Sequence, residues 1–171
     1  SNGFFWSGWC GAELEFANTA NSSAFKAATR MLLATIKGSG KIEFYGLGNS
    51  GIVAQDGQHK FFRLGANTVA YADAHLQIMA ASLLTKADTV VAISNSGNSR
   101  ELLEAARIAV GQGANLIAIS ASGSPLATLS KTLLAADHQE SRDQYSPMES
   151  RLLHLSIIDI LATCTALALG D

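Results

Sequence analysis

Five short runs rich in β-branched and aromatic residues recur along the chain: Ile42–Gly46 (IEFYG), Asn67–Tyr71 (NTVAY), Asp88–Ser94 (DTVVAIS), Asn115–Ser120 (NLIAIS) and TLLAA from Thr132. Each has the length of a strand, and the stretches between them carry helical patterning. Strands that alternate with helices form parallel sheets, because a parallel pair needs a crossover connection and the crossover is a helix. The runs are apolar almost throughout, as burial on both faces requires. The pattern predicts an α/β fold, a three-layer α/β/α sandwich around a five-stranded parallel sheet, with the flavodoxin-like order 2-1-3-4-5.

At 171 residues and 48% hydrophobic content, the chain has room for one full core. We expect residues 1–21 to be a linker or tag remnant and 22–171 to form the domain. Trp6 and Trp9 in that lead-in are expected to pack on the domain. A first helix follows, with Ser22 or Ser23 as its cap and Phe25, Met31, Leu32 and Ile36 on its apolar face. Leu152–Leu169 approaches the length of a membrane span, but His154 and Asp159 interrupt it, so it reads as a helix buried on nearly all sides by core or by a partner subunit.

Charge and cysteine usage narrow the classes of partner. A net charge of -2 lacks the basic excess that contact with a nucleic-acid backbone needs. Cys10 and Cys164 are distant and in unlike contexts, which argues against a disulfide framework and for a cytoplasmic location. We expect Cys164 to be a small core residue. No secretory signal is apparent, and the spacing of His59, His75, His138 and His154 offers no metal site. No cofactor is expected.

Chemistry concentrates in two loops, Gly46-Leu47-Gly48-Asn49-Ser50-Gly51 after the first strand and Ser94-Asn95-Ser96-Gly97-Asn98-Ser99 after the third. Each opens a helix whose first amides lack partners and carry the positive end of the dipole, which favours a bound phosphate. In the order 2-1-3-4-5 these loops lie side by side at the topological switch point, where open α/β sheets bind ligands. The same residues have a structural reading as helix caps; for Ser99 capping and ligand binding are equally open. Ser124, followed by Pro125, is expected to be a cap.

Two other functions compete. Gly46–Gly51 satisfies the dinucleotide pattern G-x-G-x-x-G, with Asp73 near the end of the second strand as its ribose acid. A dinucleotide leaves the second serine-rich loop unexplained. A phosphosugar isomerase would need a base beside its substrate, and Glu149, His59, His154 and Asp73 are the candidates. Glu149 also offsets a helix dipole, and a lone helical histidine is ordinarily packed or solvated.

G-x-G-x-S after the first strand and S-x-S-G-x-S after the third resemble the sugar isomerase (SIS) domain. The longer strings GLGNSGIVAQDGQHKFFRLG, HLQIMAASLL, VVAISNSGNSRELLEAA and SPMESRLLHLSIIDILAT resemble the SIS effector domain of RpiR-type bacterial transcription regulators, near the HexR-like branch. The likeness runs from about Ile42 to Leu169. It implies a phosphosugar sensor that is not an enzyme, with Gly48, Asn49, Ser50, Ser94, Asn95, Ser96 and Ser99 around the ligand. It also implies a homodimer or higher homo-oligomer, and a helix-turn-helix domain outside this chain as the sole route to DNA. Some relatives carry a sugar-kinase domain further upstream. Similar domains place the segment containing His59 at a neighbouring subunit's site or at the dimer contact, and HexR-like relatives respond to 2-keto-3-deoxy-6-phosphogluconate. Among Arg63, Arg100, Arg142 and Arg151, we single out Arg151 to meet a substrate carboxylate, because a guanidinium pairs with it bidentately.

Overall fold

A computed structural model describes residues 22–137 and 149–170, so Trp6, Trp9, Cys10, His138 and Arg142 lie outside the described residues. The elements follow in the order α1 (Ser23–Lys37), β1 (Lys41–Gly46), α2 (Asn49–Arg63), β2 (Asn67–Tyr71), α3 (Ala74–Ala81), β3 (Thr89–Ile93), α4 (Arg100–Gly111), β4 (Asn115–Ser120), α5 (Pro125–Leu129), β5 (Thr132–Ala135) and α6 (Glu149–Gly170). The five strands form one parallel sheet in the expected order β2-β1-β3-β4-β5.

Alternation along each strand divides the core in two. Ile42, Phe44, Val91, Ile93, Ile117 and Ile119 face α1, α2 and α6, whereas Tyr45, Val90, Ala92, Leu116 and Ala118 face α3, α4 and α5. Each fully buried large side chain contributes roughly 1.5–3 kcal/mol. A polar seam interrupts the second layer: Glu43, 1% exposed, accepts a hydrogen bond from the Tyr45 hydroxyl at 2.6 Å. Burial, reinforced by that carboxylate, pushes the Tyr45 phenol far above its ordinary range.

Side-chain hydrogen bonds mark where several elements start. Ser22 is the cap of α1, its hydroxyl accepting from the Phe25 amide. Asp88 is not a strand residue; its buried carboxylate accepts from the Lys41 and Thr85 amides and ties the starts of β1 and β3. The helix after β2 ends at Ala81, earlier than its apolar pattern reaches.

Ser150–Gly170 is long and apolar enough to cross a membrane, yet it lies against α1 and α2 with Ile157, Ile158, Ile160 and Leu161 in the core. The core covers one side of it, while Leu152 is 60% and Leu167 70% exposed within this chain. Asp159, rather than merely interrupting the run, pairs with Lys60 of α2 at 2.7 Å. Cys164 is half-buried against the same core, and burial raises its thiol pKa.

Candidate functional site

The register brings the two loops together. Gly46 pairs with Ile93 as the last rung between β1 and β3, so both chains leave the sheet at the same height and turn into α2 and α4. Gly46 permits the first turn: a Cβ there would lie 2.2 Å from the Ser50 carbonyl oxygen. Gly48 and Asn49 are exposed at the mouth of this loop and Ser50 is half-buried.

Helix caps separate these two helices from three others. Ser22, Asp73 and Ser124 cap α1, α3 and α5 with side-chain oxygens. Gly48 and Ser99, at the N-cap positions of α2 and α4, make no side-chain cap bond. In α2 the Ser50 and Gly51 amides already donate to Leu47 O at 3.1 Å and Gly48 O at 3.0 Å, so the first turn of α4 is the one that keeps its amide donors for another acceptor.

None of Ser50, Ser94 and Ser96 is a helix cap. Ser94 is buried; its amide donates to Ile119 O at 3.0 Å and its hydroxyl accepts from the Gly97 amide at 3.1 Å. Exposed Ser96 accepts from the Asn98 amide at 3.3 Å. A hydroxyl that accepts from an amide still has its own proton to give, so both serines remain donors toward an anion. Ser99 holds the N-cap position, but its hydroxyl reaches Glu101 Oε2 at 3.5 Å.

Loop two rests on the turn after β4. Ala121 N donates to Asn95 O at 3.3 Å, and Leu126 N to Gly97 O at 3.2 Å. Beneath Gly97, whose φ is +63°, Ser120 Oγ and Ser124 Oγ lie 3.2 Å apart, and a Cβ would come within 2.4 Å of both. Ser124 also caps α5 through the Ala127 amide, as expected. Asp137 accepts from the Ser122 amide and hydroxyl, both at 2.6 Å, and these bonds hold its carboxyl below the usual range.

Loop one has a support that sequence reasoning missed. Gln77 of α3 is fully buried, and its Nε2 donates to Gly46 O at 3.2 Å and Tyr71 O at 2.8 Å. Its one signal in the sequence is a polar residue set between Leu76 and Ile78 in the run HLQIMAASLL.

The remaining candidates lie outside the two loop sequences. His59 is exposed on α2, ten residues beyond Asn49, hence about 15 Å along the helix axis. Asp73 is engaged as the cap of α3, accepting from the Leu76 amide at 2.9 Å, which opposes its assignment as a ribose acid. Glu149 is the first residue of α6, and Arg151 lies half-buried in its first turn. His154 is buried, with Ile157 and Ile158 of the same helix in the core. Arg100 is exposed at the start of α4, and Arg63 at the far end of α2.

The family model of the SIS domain matches residues 35–164. The chain belongs to the SIS domain family. It is 49% identical over 132 residues to the bifunctional protein glk of Burkholderia orbicola, covering 77% of this chain and 21% of that protein. It is 44% identical over 130 residues to the HTH-type transcriptional regulator HexR of Pseudomonas aeruginosa, covering 76% of this chain and 46% of the regulator. This SIS chain therefore spans less than half the length of these curated relatives. The NanR protein of Vibrio vulnificus, solved in complex with ManNAc-6P, shares the fold at a TM-score of 0.76 and 23% identity, over 94% of this chain and 63% of that one.

Proposed function

We propose that this SIS domain is the effector module of an RpiR-type, HexR-like transcription regulator in the cytoplasm. It binds a phosphorylated sugar or sugar acid between α2 and α4 and thereby controls genes of sugar metabolism. The observation that carries the reading is the pair of helix N-termini at one switch point, both without side-chain caps and both flanked by serine hydroxyls. Such a site holds phosphate by neutral donors and dipoles. Ser50, Ser94, Ser96 and Ser99, with Gly48, Asn49 and Asn95, form the phosphate end.

The identity with HexR supports the regulator reading, and 2-keto-3-deoxy-6-phosphogluconate is the ligand we name, with Arg151 taking its carboxylate. The domain is a sensor without catalytic turnover. Neither loop carries an ionisable side chain, and His59 stands about 15 Å along α2 from the first turn. The exposed leucines of α6 support a homodimer in which that helix is covered, and DNA is reached only through a helix-turn-helix domain outside this chain. Ligand then acts by binding one arrangement of the dimer more tightly than another.

A thermal-shift panel of phosphorylated sugars, sugar acids and NAD tests this. At about 100 times its dissociation constant, the ligand stabilises the fold by roughly 2.7 kcal/mol. We expect the sugar acid phosphate to do so and NAD not to. Turnover of a fructose or arabinose phosphate, or protection by NAD alone, overturns the sensor reading.

A further inference from the structure

The geometry points to Gln77 as the positioning residue of the first phosphate loop: a buried amide that clips β1 to β2 at the point where the loop begins and sets ligand affinity without touching ligand. The inference rests on the phosphosugar reading of that loop only for its effect on affinity. The last rung between β1 and β2 is Tyr45 beside Tyr71; beyond it the two chains diverge, one into loop one and the other toward α3. A divergence of this kind leaves carbonyls without ladder partners inside the protein, and a buried carbonyl must find a donor elsewhere.

Gln77 supplies both donors from a single group. An NH₂ has two protons, and its partners Gly46 O and Tyr71 O are carbonyls that can only accept, so the amide's orientation follows from its neighbours. The other end of the same amide, Oε1, is buried without a hydrogen-bond partner among the described residues. Leaving an acceptor in that state is costly, so an amide at this position is explained by what its nitrogen does.

Pinning Gly46 O matters because Gly46 is the residue from which the loop turns back over the first turn of α2. Its Cα hydrogens lie where a Cβ would meet Ser50 O, Ser50 C and Gly51 N, all within 2.9 Å. A shift of the Gly46 peptide is therefore passed directly to Ser50 and to the amides that open α2. Loop two has its own support in Ser120 and Ser124, so loss of the Gln77 clip is confined to loop one.

The test is Gln77→Met, which keeps the side chain's length and removes both donors. In the unliganded variant, hydrogen exchange at amides 46–51 is expected to accelerate while exchange at 94–99 is unchanged. Affinity for 2-keto-3-deoxy-6-phosphogluconate, titrated well below the melting temperature, is expected to fall about tenfold. A lowered melting temperature with unchanged affinity and unchanged loop exchange makes Gln77 a stability residue only and overturns the proposal. If the unmodified protein binds no phosphosugar, the functional reading fails while the contrast in exchange still decides the role of Gln77. Should the variant not fold, the unmodified protein decides by NMR: the Gln77 side-chain amide protons must exchange far more slowly than those of exposed Gln55, and equal rates overturn the clip.

Discussion

The two edges of the sheet use their polar groups in opposite ways. At the edge where β1 and β3 begin, polar groups are consumed inside the fold. Asp88 alone accepts from the Lys41 amide at 2.7 Å, the Thr85 amide at 2.7 Å and the Thr85 hydroxyl at 2.9 Å, and Thr35 and Thr89 share a 2.7 Å hydroxyl bond beside it. At the edge where β1 and β3 end, the first turns of α2 and α4 carry no side-chain cap, and Ser94 and Ser96 keep protons to donate. One end is closed for stability and the other keeps hydroxyl protons to give, at the carboxyl ends of the strands, where open parallel sheets bind their ligands.

The sharpest way to break this comparison is to damage the closed edge. Asp88→Asn should cost about 2–4 kcal/mol, because hydrogen bonds to a buried charge exceed ordinary ones, and it should leave ligand affinity unchanged. Urea unfolding and titration read the two quantities separately. Burial disfavours the Asp88 charge, but its bonds from the Lys41 amide and from Thr85, with the charge of Lys41, hold its pKa below the ordinary value. Its contribution is then complete above about pH 4 and lost as pH falls through the lower folded value, so the variant should flatten the acid side of the stability profile.

Ser94→Ala sits between the two edges in character. It leaves the Gly97 amide without its acceptor, so it should cost about 1–2 kcal/mol and also weaken phosphosugar binding roughly 10- to 100-fold. The smallest stability effect is expected at the open edge itself. Ser96→Ala and Ser50→Ala should change stability by less than about 0.5 kcal/mol. Yet each should weaken binding as much as Ser94→Ala. If Ser96→Ala destabilises the fold and still binds, its hydroxyl serves the loop alone and the division between edges fails.

Much of this arrangement was legible in the sequence. Periodicity exposed all five strands, since burial on both faces leaves near-continuous apolar runs, and the turn residues marked both loops and the Ser22 and Ser124 caps. What stayed hidden was long-range. Gln77 and Asp88 act on groups 31 and 47 residues away, and nothing local distinguishes a glutamine that clips two strand ends from one that merely interrupts an apolar helix. How α6 divides between core and exposed leucines was not legible, because composition records how apolar a helix is, not how much of it one chain covers.

Local chemistry by itself determined the elements, their alternation and the glycine- and serine-rich turns of two loops, because apolar period, glycine and serine act within a few residues of where they stand. Only the tertiary structure decided that Gly46 and Ile93 end level with each other, that α2 and α4 lack side-chain caps, and that Gln77, Ser120 and Ser124 support the loops from below. Those relations depend on register and on contacts between distant segments, which exist only after the core has closed.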